Sequence, residues 1–465
     1  MNRSLCDPLV DTDAVTLSAA IRAREVSCVE AVCAHLARVD ELDGTYHAFV
    51  SRRPTEAVLA EAAQRDAELV EGRWRGWMHG LPHAVKDLAH VQGLPTASGL
   101  LPLDEAPVAV ADDVFVARIR AAGAVFIGKT NTPELGLGSH TYSTVAPTTG
   151  NVADPTVSAG GSSGGASVAV AAGMVPVADG SDFMGSLRNP PGWNGVLGLR
   201  PTPGVVLDVD DDPTAPGSGV NGPIARTVAD LAALLTTMAE PGHAFAAAPT
   251  DRMPRIGWLG DLDGTLPLEP GIGETCTAAL TRWSSEIDDV HLAEPEMLWP
   301  LWLVVRHHEV GGALLEGYSE PERARMKPEA QWEIEGALRL TGSQVQEAQD
   351  RRSVLRAEVL QLLEQYDVLA LPSAQVWPFP VDQHWPDVVA GVPMDTYHRW
   401  MQVTTLATLT GLPALAVPAG ENAEGLSLGL QLIGRPNGEQ QLLSFAADAE
   451  RREAFRVRRP SLAVG

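Results

Sequence analysis

Short apolar runs of four to six residues are the feature that most restricts the fold of this chain. They are shorter than ordinary helices, and between them apolar residues recur at helical spacing, for example over residues 113–122 and 439–451. Apolar strands that alternate with helices are typical of an α/β protein with a largely buried sheet. The runs predicted to be strands are residues 81–85, 124–127, 368–371, 414–418 and 428–433.

Two longer stretches have a mostly helical pattern. The first covers residues 14–70, where Ser27 and Glu30 fit a capping box, a side-chain pair that satisfies free N–H groups at a helix start. The second covers about residues 265–365, which are polar, contain four tryptophans and give few strand signals. We interpret this second stretch as a helical insertion over the sheet.

The charge balance argues against two classes of partner. The 465-residue chain has 59 acidic and 34 basic side chains, which gives a formal net charge of −25. Such an excess repels phosphate backbones and anionic lipids, so we expect neither nucleic-acid binding nor membrane docking. No run reaches the roughly 18 apolar residues of a membrane span, and the first residues lack the apolar core of a secretory signal. We therefore expect a cytoplasmic protein.

The cysteines and histidines show no spacing that is typical of a metal site. The four cysteines form no CxxC pair, and the 12 histidines form no HExxH motif. Scattered cysteines of this kind are typical of reduced thiols in the cytoplasm. The sequence therefore predicts no bound metal and no cofactor.

A nucleotide site is one interpretation of the glycine-containing segments. Residues 123–130, GAVFIGKT, match the phosphate-loop pattern GxxxxGK[ST]. A phosphate loop needs flexible residues between its glycines, whereas Ala-Val-Phe-Ile favours a buried strand. We interpret this match as accidental.

An α/β-hydrolase nucleophile elbow is a second interpretation. Residues 158–170, SAGGSSGGASVAV, contain the GxSxG pattern twice, centred on Ser162 and on Ser163. An elbow needs a strand directly before its serine, and residues 151–158 are instead a polar stretch that contains Pro155. An esterase of this type stays open as a disfavoured alternative.

A third interpretation joins the serine pair to a lysine. Lys86 follows the apolar run at 81–85, and burial there would lower its pKa, so that the neutral amine could act as a base. A serine needs such a base before it can attack an amide. The stretch DGSDFMGSLRNP at 179–190 contributes further serines, and one serine can relay a proton between a nucleophile and the lysine.

These segments resemble the amidase signature family, whose members use a Ser-Ser-Lys triad. Residues 160–204 are similar to the family's hallmark segment, and residues 129–134, 222–230 and 429–436 resemble further family motifs in the expected order. The resemblance covers nearly the whole chain and is weakest between about 240 and 400. It implies the α/β amidase signature fold, a large mixed twisted sheet with helices on both faces.

The resemblance also implies the roles of the site residues. Ser186 matches the nucleophile, Lys86 the base, and Ser162 the bridging serine, which in the family lies on an unusual cis peptide bond. Ser163 matches a hydroxyl that supports the lysine. The oxyanion hole is implied at Ser186 and at the backbone N–H groups of Phe183, Met184 and Gly185.

The neighbours of the triad are expected to support it. We expect Asp182 and Arg188 to form an ion pair that braces the nucleophile loop, and Tyr142 and Met184 to line the substrate pocket. Many family members carry Gly-Gly-Ser at the nucleophile, whereas this chain has Met-Gly-Ser. The backbone donor is retained, so we expect the methionine to change the pocket rather than the chemistry.

The implied organisation is a single amidase domain over residues 1–465. Its expected parts are an N-terminal helical part at 1–70, a signature core with the triad at 75–235, a variable and largely helical substrate-side insertion at 240–400, and C-terminal core strands with a helix at 401–465.

The implied function is hydrolysis of an amide or carbamate C–N bond by water, through an acyl-enzyme on Ser186. The motif at 179–190 resembles members that act on aminohexanoate oligomers and on aryl carbamates, the urethanases, and the tryptophans favour an apolar or aryl substrate. A different function also stays open, that of the amidase subunit of a glutamine-dependent tRNA amidotransferase. We expect a monomer or a homodimer.

Overall fold

A computed structural model describes residues 7–207, 217–250 and 252–458. Both ends of the predicted domain, residues 1–6 and 459–465, lie outside the described residues. The strands are β1 Phe49–Arg52, β2 Pro82–Lys86, β3 Val125–Thr130, β4 Val177–Asp182, β5 Leu197–Arg200, β6 Val220–Ala225, β7 Ile256–Trp258, β8 Ile287–Asp289, β9 Val368–Pro372, β10 Val388–Val389, β11 Val392–Pro393, β12 Ala414–Glu421 and β13 Ser427–Ile433.

Eight of these strands form the main sheet, in the order β4-β6-β5-β12-β13-β9-β7-β8. Neighbours from β4 to β9 pair antiparallel, whereas β9, β7 and β8 pair parallel. The inner strands β9 and β13 are buried along their whole length, because neighbouring strands cover their edges and helices flank the sheet. This large mixed sheet confirms the predicted α/β fold class.

Several helices begin after a residue whose side chain caps the first turn, among them Ser27, Thr227 and Thr341. The predicted capping box of Ser27 and Glu30 is present at the start of the third helix. None of the helices in the described ranges is both long and apolar enough to cross a membrane. The helices are α1 Asp7–Asp11, α2 Ala14–Ala23, α3 Cys28–Tyr46, α4 Thr55–Val70, α5 Val114–Ala121, α6 Gly164–Ala171, α7 Asn189–Trp193, α8 Val228–Met238, α9 Ile272–Trp283, α10 Leu298–Arg306, α11 Gly312–Gly317, α12 Glu320–Arg323, α13 Pro328–Arg339, α14 Gly342–Gln365, α15 Thr405–Thr410 and α16 Glu439–Arg451.

A smaller sheet, in the order β1-β3-β2, carries the lysine. Beside the large sheet, β2 and β3 thus form a parallel ladder of their own. A carboxylate on β4 links the two sheets. Asp179 accepts a hydrogen bond from the Lys86 backbone N–H at 3.1 Å, and its other oxygen lies 3.0 Å from His83 Nε2. This side chain of β4 thus fixes the end of β2.

The strands that the sequence did not predict are short or polar. The predicted strands are found as β2, β3, β9, β12 and β13, and the predicted helices as α5 and α16. The expectation of helices throughout 14–70 is wrong at β1. The stretch 240–400 is largely helical, and β7 and β8 within it add to the main sheet. β7 and β8 have only three residues each, and β8 reads Ile-Asp-Asp at the sheet edge, so neither gives an apolar run.

Candidate active site

Lys86 is the centre of a buried cluster of hydroxyl groups. It ends β2, a strand that is buried at every position, and its side chain is itself only 2% exposed. Its Nζ lies 2.8 Å from Ser162 Oγ, 2.9 Å from Ser163 Oγ and 2.9 Å from Ser181 Oγ. Neutral hydroxyls compensate an ammonium less well than a carboxylate does, so this environment favours the neutral amine.

The pKa of Lys86 is lowered from its ordinary 10.5 to about 7, and burial is the main cause. The negative charges of Asp179 and Asp182 oppose this effect and keep the pKa from falling further. A large fraction of the amine is therefore neutral near pH 7. A buried neutral amine of this kind can accept a proton and act as a general base.

Ser162 lies between the lysine and Ser186. Ser162 Oγ is 3.0 Å from Ser186 Oγ, and the Ser162 backbone N–H donates to the same oxygen at 2.9 Å. The bond between Gly161 and Ser162 is cis. A Cβ at Gly161 would lie 2.8 Å from the backbone nitrogen of His140, so glycine is required for this close approach of two loops. The three side chains thus form a continuous path for a proton.

Asp182 holds the loop that carries Ser186. Its carboxylate accepts hydrogen bonds from the backbone N–H groups of Gly185 at 2.9 Å and Leu187 at 3.0 Å. Arg188 donates to both carboxylate oxygens at 2.9 Å, and both side chains are fully buried. Burial alone would raise the pKa of Asp182, but the guanidinium of Arg188 holds it well below its ordinary value. The expected ion pair is present, and it fixes the turn between β4 and Ser186.

The proposed oxyanion donors divide into two groups. The N–H of Gly185 donates to Asp182, so it is not free to hold an oxyanion, and in this respect the structure differs from the prediction. Among the described residues, the N–H groups of Phe183, Met184 and Ser186 have no protein acceptor. These three remain available to the oxygen of a substrate carbonyl, and Phe183, Met184 and Ser186 also line the adjoining cavity.

The cavity next to Ser186 has a volume of about 120 Å³ and a mixed lining. Its apolar part is formed by five side chains, and Arg306 and His398 line it as well. Met184 lies at this wall. The apolar side chains are Leu88, Leu135, Phe183, Met184 and Met401.

The other two interpretations of the sequence do not agree with the structure. Lys129, in the segment that resembles a phosphate loop, lies in β3, fully buried and 2.8 Å from Asp87. It is therefore part of a structural ion pair. Residues 151–163 contain isolated bridges but no strand, so the strand that a GxSxG elbow requires before Ser162 is missing there.

Comparison with known proteins shows the family of this chain. The family model described as Amidase matches residues 30–443. This chain belongs to the amidase family. The amidase is 33% identical to a glutamyl-tRNA(Gln) amidotransferase subunit of Chloroflexus aurantiacus, over 96% of the chain and 97% of that protein. It is 32% identical to an acylamidase of Rhodococcus erythropolis, again over 96% and 97%. The amidase is a hydrolase, and its family acts on amide C–N bonds other than peptide bonds.

Solved structures give the same result for the fold of the amidase. A bacterial aryl acylamidase of the amidase signature enzyme family superposes with a TM-score of 0.86 at 24% identity, over 96% of this chain and 97% of the other. The large mixed sheet and its flanking helices are therefore those of the amidase signature fold.

Sequence reasoning missed four residues of this amidase site. Asp179 and Ser181 alternate along β4 and so lie on the same face, the one toward Lys86. Two polar residues at this spacing in a buried strand were the available signal. Arg306 and His398 come from the region between 240 and 400, where no motif distinguished them from other polar residues.

Tyr142 is expected in the substrate pocket, and the structure places it outside the lining of the cavity beside Ser186. Its ring stacks on that of His384, with centroids 4.5 Å apart, and Lys327 Nζ lies 4.7 Å from its centre. Its hydroxyl bonds to Glu329 at the start of α13. The insertion thus supplies a stacking partner, a cation and a carboxylate for the tyrosine. Tyr142 therefore connects its loop to the insertion and is not part of the cavity lining.

Proposed function

We propose that the protein hydrolyses a neutral amide or carbamate through an acyl-enzyme on Ser186, with Lys86 as the base. The observation that carries this proposal is the continuous path from Lys86 Nζ to Ser162 Oγ at 2.8 Å and on to Ser186 Oγ at 3.0 Å. A serine needs a base within hydrogen-bond reach, and the bridging hydroxyl extends that reach.

In the proposed reaction, Lys86 takes the proton of Ser162 while Ser162 takes that of Ser186. Ser186 Oγ then bonds to the substrate carbonyl carbon, and the negative oxygen is held by free backbone N–H groups, each worth about 3–4 kcal/mol in such sites. The C–N bond breaks, and the amine leaves with a proton returned through Ser162. Water, deprotonated by the same path, attacks the acyl-enzyme, releases the acid and restores Ser186.

The cavity limits the substrate that we propose. Its small volume and its apolar side chains suit a compact acyl or aryl group. The cavity lining includes none of the four tryptophans of the insertion, Trp283, Trp299, Trp302 and Trp332. The tryptophans therefore do not favour an aryl substrate, and only Phe183 and Met184 in the cavity lining do. Preference for a carbamate, the urethanase activity, stays a prediction.

The test is intact-mass analysis after reaction with an alkyl fluorophosphonate. In this reaction the serine oxygen displaces fluoride from phosphorus, so only an activated serine is labelled. We expect one adduct on the wild type and none on Ser186→Ala. The matched control is Ser167→Ala, a buried serine on α6 that bonds to the Ser163 carbonyl and not to Lys86. A label that persists in Ser186→Ala would refute the proposed nucleophile.

A second candidate is the amidase subunit of a glutamine-dependent amidotransferase, because the chain is 33% identical to an amidotransferase subunit over 96% of its length. Purified protein distinguishes the two functions. A stand-alone hydrolase cleaves acyl anilides without a partner or ATP. An amidotransferase component would release ammonia from glutamine, and only when its partners are added.

The remaining expectations stay proposals that can be tested on the purified protein. We place the enzyme in the cytoplasm as a monomer or homodimer of one domain, without nucleic acid. Light scattering gives the oligomeric state, and a single cooperative melting transition is the expected sign of one domain.

A further inference from the structure

Two polar side chains line the cavity but take no part in the proposed reaction. Arg306 ends α10, and His398 precedes the turn that leads to α15. Both are buried, at 4% and 1% exposure, and both line the cavity that contains Ser186. A cavity that only held a hydrocarbon group would not need them, because burying unsatisfied polar atoms costs free energy.

Arg306 is held in a fixed orientation. Its Nε lies 2.5 Å from Glu333 Oε1, and its Nη2 donates to the Tyr397 hydroxyl at 2.6 Å. That hydroxyl in turn donates to Glu333 Oε1 at 2.6 Å. Among the described residues, no acceptor is found for Nη1. The guanidinium is therefore preorganised and has donor capacity left for a ligand.

His398 has no hydrogen-bond partner for either ring nitrogen among the described residues. Aromatic rings surround it, with the centroid of Tyr397 at 4.4 Å, Trp299 at 5.1 Å and Trp332 at 5.4 Å. Burial, with the nearby positive charge of Arg306, lowers the pKa of His398 well below its ordinary value, so the ring is neutral. A neutral imidazole offers one donor and one acceptor, and here both are unused.

The charges around these groups favour a neutral ligand. Glu333 is fully buried and ionised, since the positive charge of Arg306 outweighs burial and lowers its pKa to about 2. Arg306 and Glu333 thus already neutralise each other. A substrate carboxylate would add a second buried negative charge beside this pair, which is costly without a further cation. A carbonyl or ether oxygen can accept the free N–H groups without that cost.

We infer that Arg306 and His398 form a recognition site for a neutral acceptor oxygen on the substrate. The substrate class is thus an amide or carbamate with a second, uncharged oxygen function, such as a ketone, ester or second amide carbonyl. This inference rests on the proposed function, because it assigns specificity to the cavity of Ser186. The two side chains are specificity determinants and do not touch the reacting atoms.

The test compares the rates at which matched fluorophosphonates label Ser186. The first probe carries a plain alkyl chain. A second set carries the same alkyl chain with a ketone at successive positions, and the last probe carries the same alkyl chain with a terminal carboxylate. A hydrogen bond to a charged donor is worth about tenfold or more in affinity, so we expect the best ketone to label the wild type at least about tenfold faster than the alkyl chain.

Three variants assign that preference to its residues. His398→Phe keeps the ring and removes both nitrogens, so the ketone preference should fall severalfold. Arg306→Met should bring the preference close to one; because it leaves Glu333 unpaired, it is compared only if the variant still melts cooperatively. The control is His307→Phe, which alters a histidine that also contacts Glu333 at 3.2 Å but does not line the cavity, and it should retain the preference.

The outcomes separate the inference from the proposed function. Equal labelling by ketone and alkyl chains refutes the recognition site while leaving the Ser186 nucleophile intact. Fastest labelling by the carboxylate refutes the neutral ligand. A ketone preference that survives in His398→Phe assigns it to other residues and also refutes the inference, whether or not Arg306→Met folds. No labelling of folded wild type by any chain refutes the proposed function itself.

Discussion

The charge of Asp179 should set the pH at which the enzyme becomes active. Lys86 acts as a base only when it is neutral, and its pKa is about 7. The carboxylate of Asp179 raises that pKa by electrostatic attraction, against the larger effect of burial. We therefore expect Asp179→Asn, which removes the charge and keeps an acceptor for the Lys86 backbone N–H, to make the enzyme active at lower pH.

The magnitude follows from a single ionisation. With a pKa of about 7, about one tenth of Lys86 is neutral at pH 6 and about nine tenths at pH 8, so wild-type kcat/KM should rise about tenfold over this range. An opposite charge nearby shifts a pKa by about 1–3 units. A decrease of about one unit in Asp179→Asn would leave half of the amine neutral at pH 6, which is about a fivefold gain there.

The assay is kcat/KM between pH 5 and 9, together with the rate of fluorophosphonate labelling, which depends on the serine and not on product release. The control is Asp40→Asn, the same chemical change at an exposed residue on α3, which should leave the midpoint at about pH 7. A midpoint that stays in place or moves to higher pH in Asp179→Asn, with a cooperative melt retained, would refute the assignment of Lys86 as the titrating base.

Two further substitutions test the base and the nucleophile loop. Lys86→Met should lower kcat/KM by about 10²–10⁴-fold without lowering the melting temperature, and a small loss would contradict its role. Gly185→Ala should destabilise the protein by more than the about 1–2 kcal/mol of left-handed strain, because its φ is +87° and the new Cβ would lie 2.6 Å from Thr404 Cγ2. Gly72→Ala, with φ +78° and open space, measures the strain alone, and equal melting losses would contradict the expected clash.

The sequence predicted those strands that are buried and consist mostly of apolar residues. β9 reads Val-Leu-Ala-Leu-Pro, and every position is buried, so its apolar run is unambiguous. β4 reads Val-Ala-Asp-Gly-Ser-Asp and is mostly buried too, but its polar residues serve the site and hide the strand signal. A local apolar pattern does not predict a strand in which polar side chains serve the site. The partners of these polar side chains come from distant segments, so the local sequence does not indicate that they are buried.

The same reasoning explains which site residues could be predicted. Lys86, Ser162 and Ser186 lie in distinctive motifs, and the structure places each within 3.0 Å of the next along the proton path. The N–H of Gly185 was assigned to the oxyanion hole from the motif alone. Its bond to Asp182 depends on the geometry of a turn, which a motif does not contain, and this bond instead makes Gly185 part of the support for Ser186.

The sequence motifs do not indicate which residues determine the substrate specificity of this enzyme. The triad needs a fixed set of residues, whereas a substrate group can be held by any donor that folding places at the cavity wall. Arg306 is about 120 positions from Ser186 in the sequence, and His398 is farther still. Both are positioned by the insertion through Glu333 and Tyr397. In the inferred site, substitutions at Arg306 or His398 would therefore change the substrate preference and leave the triad as it is.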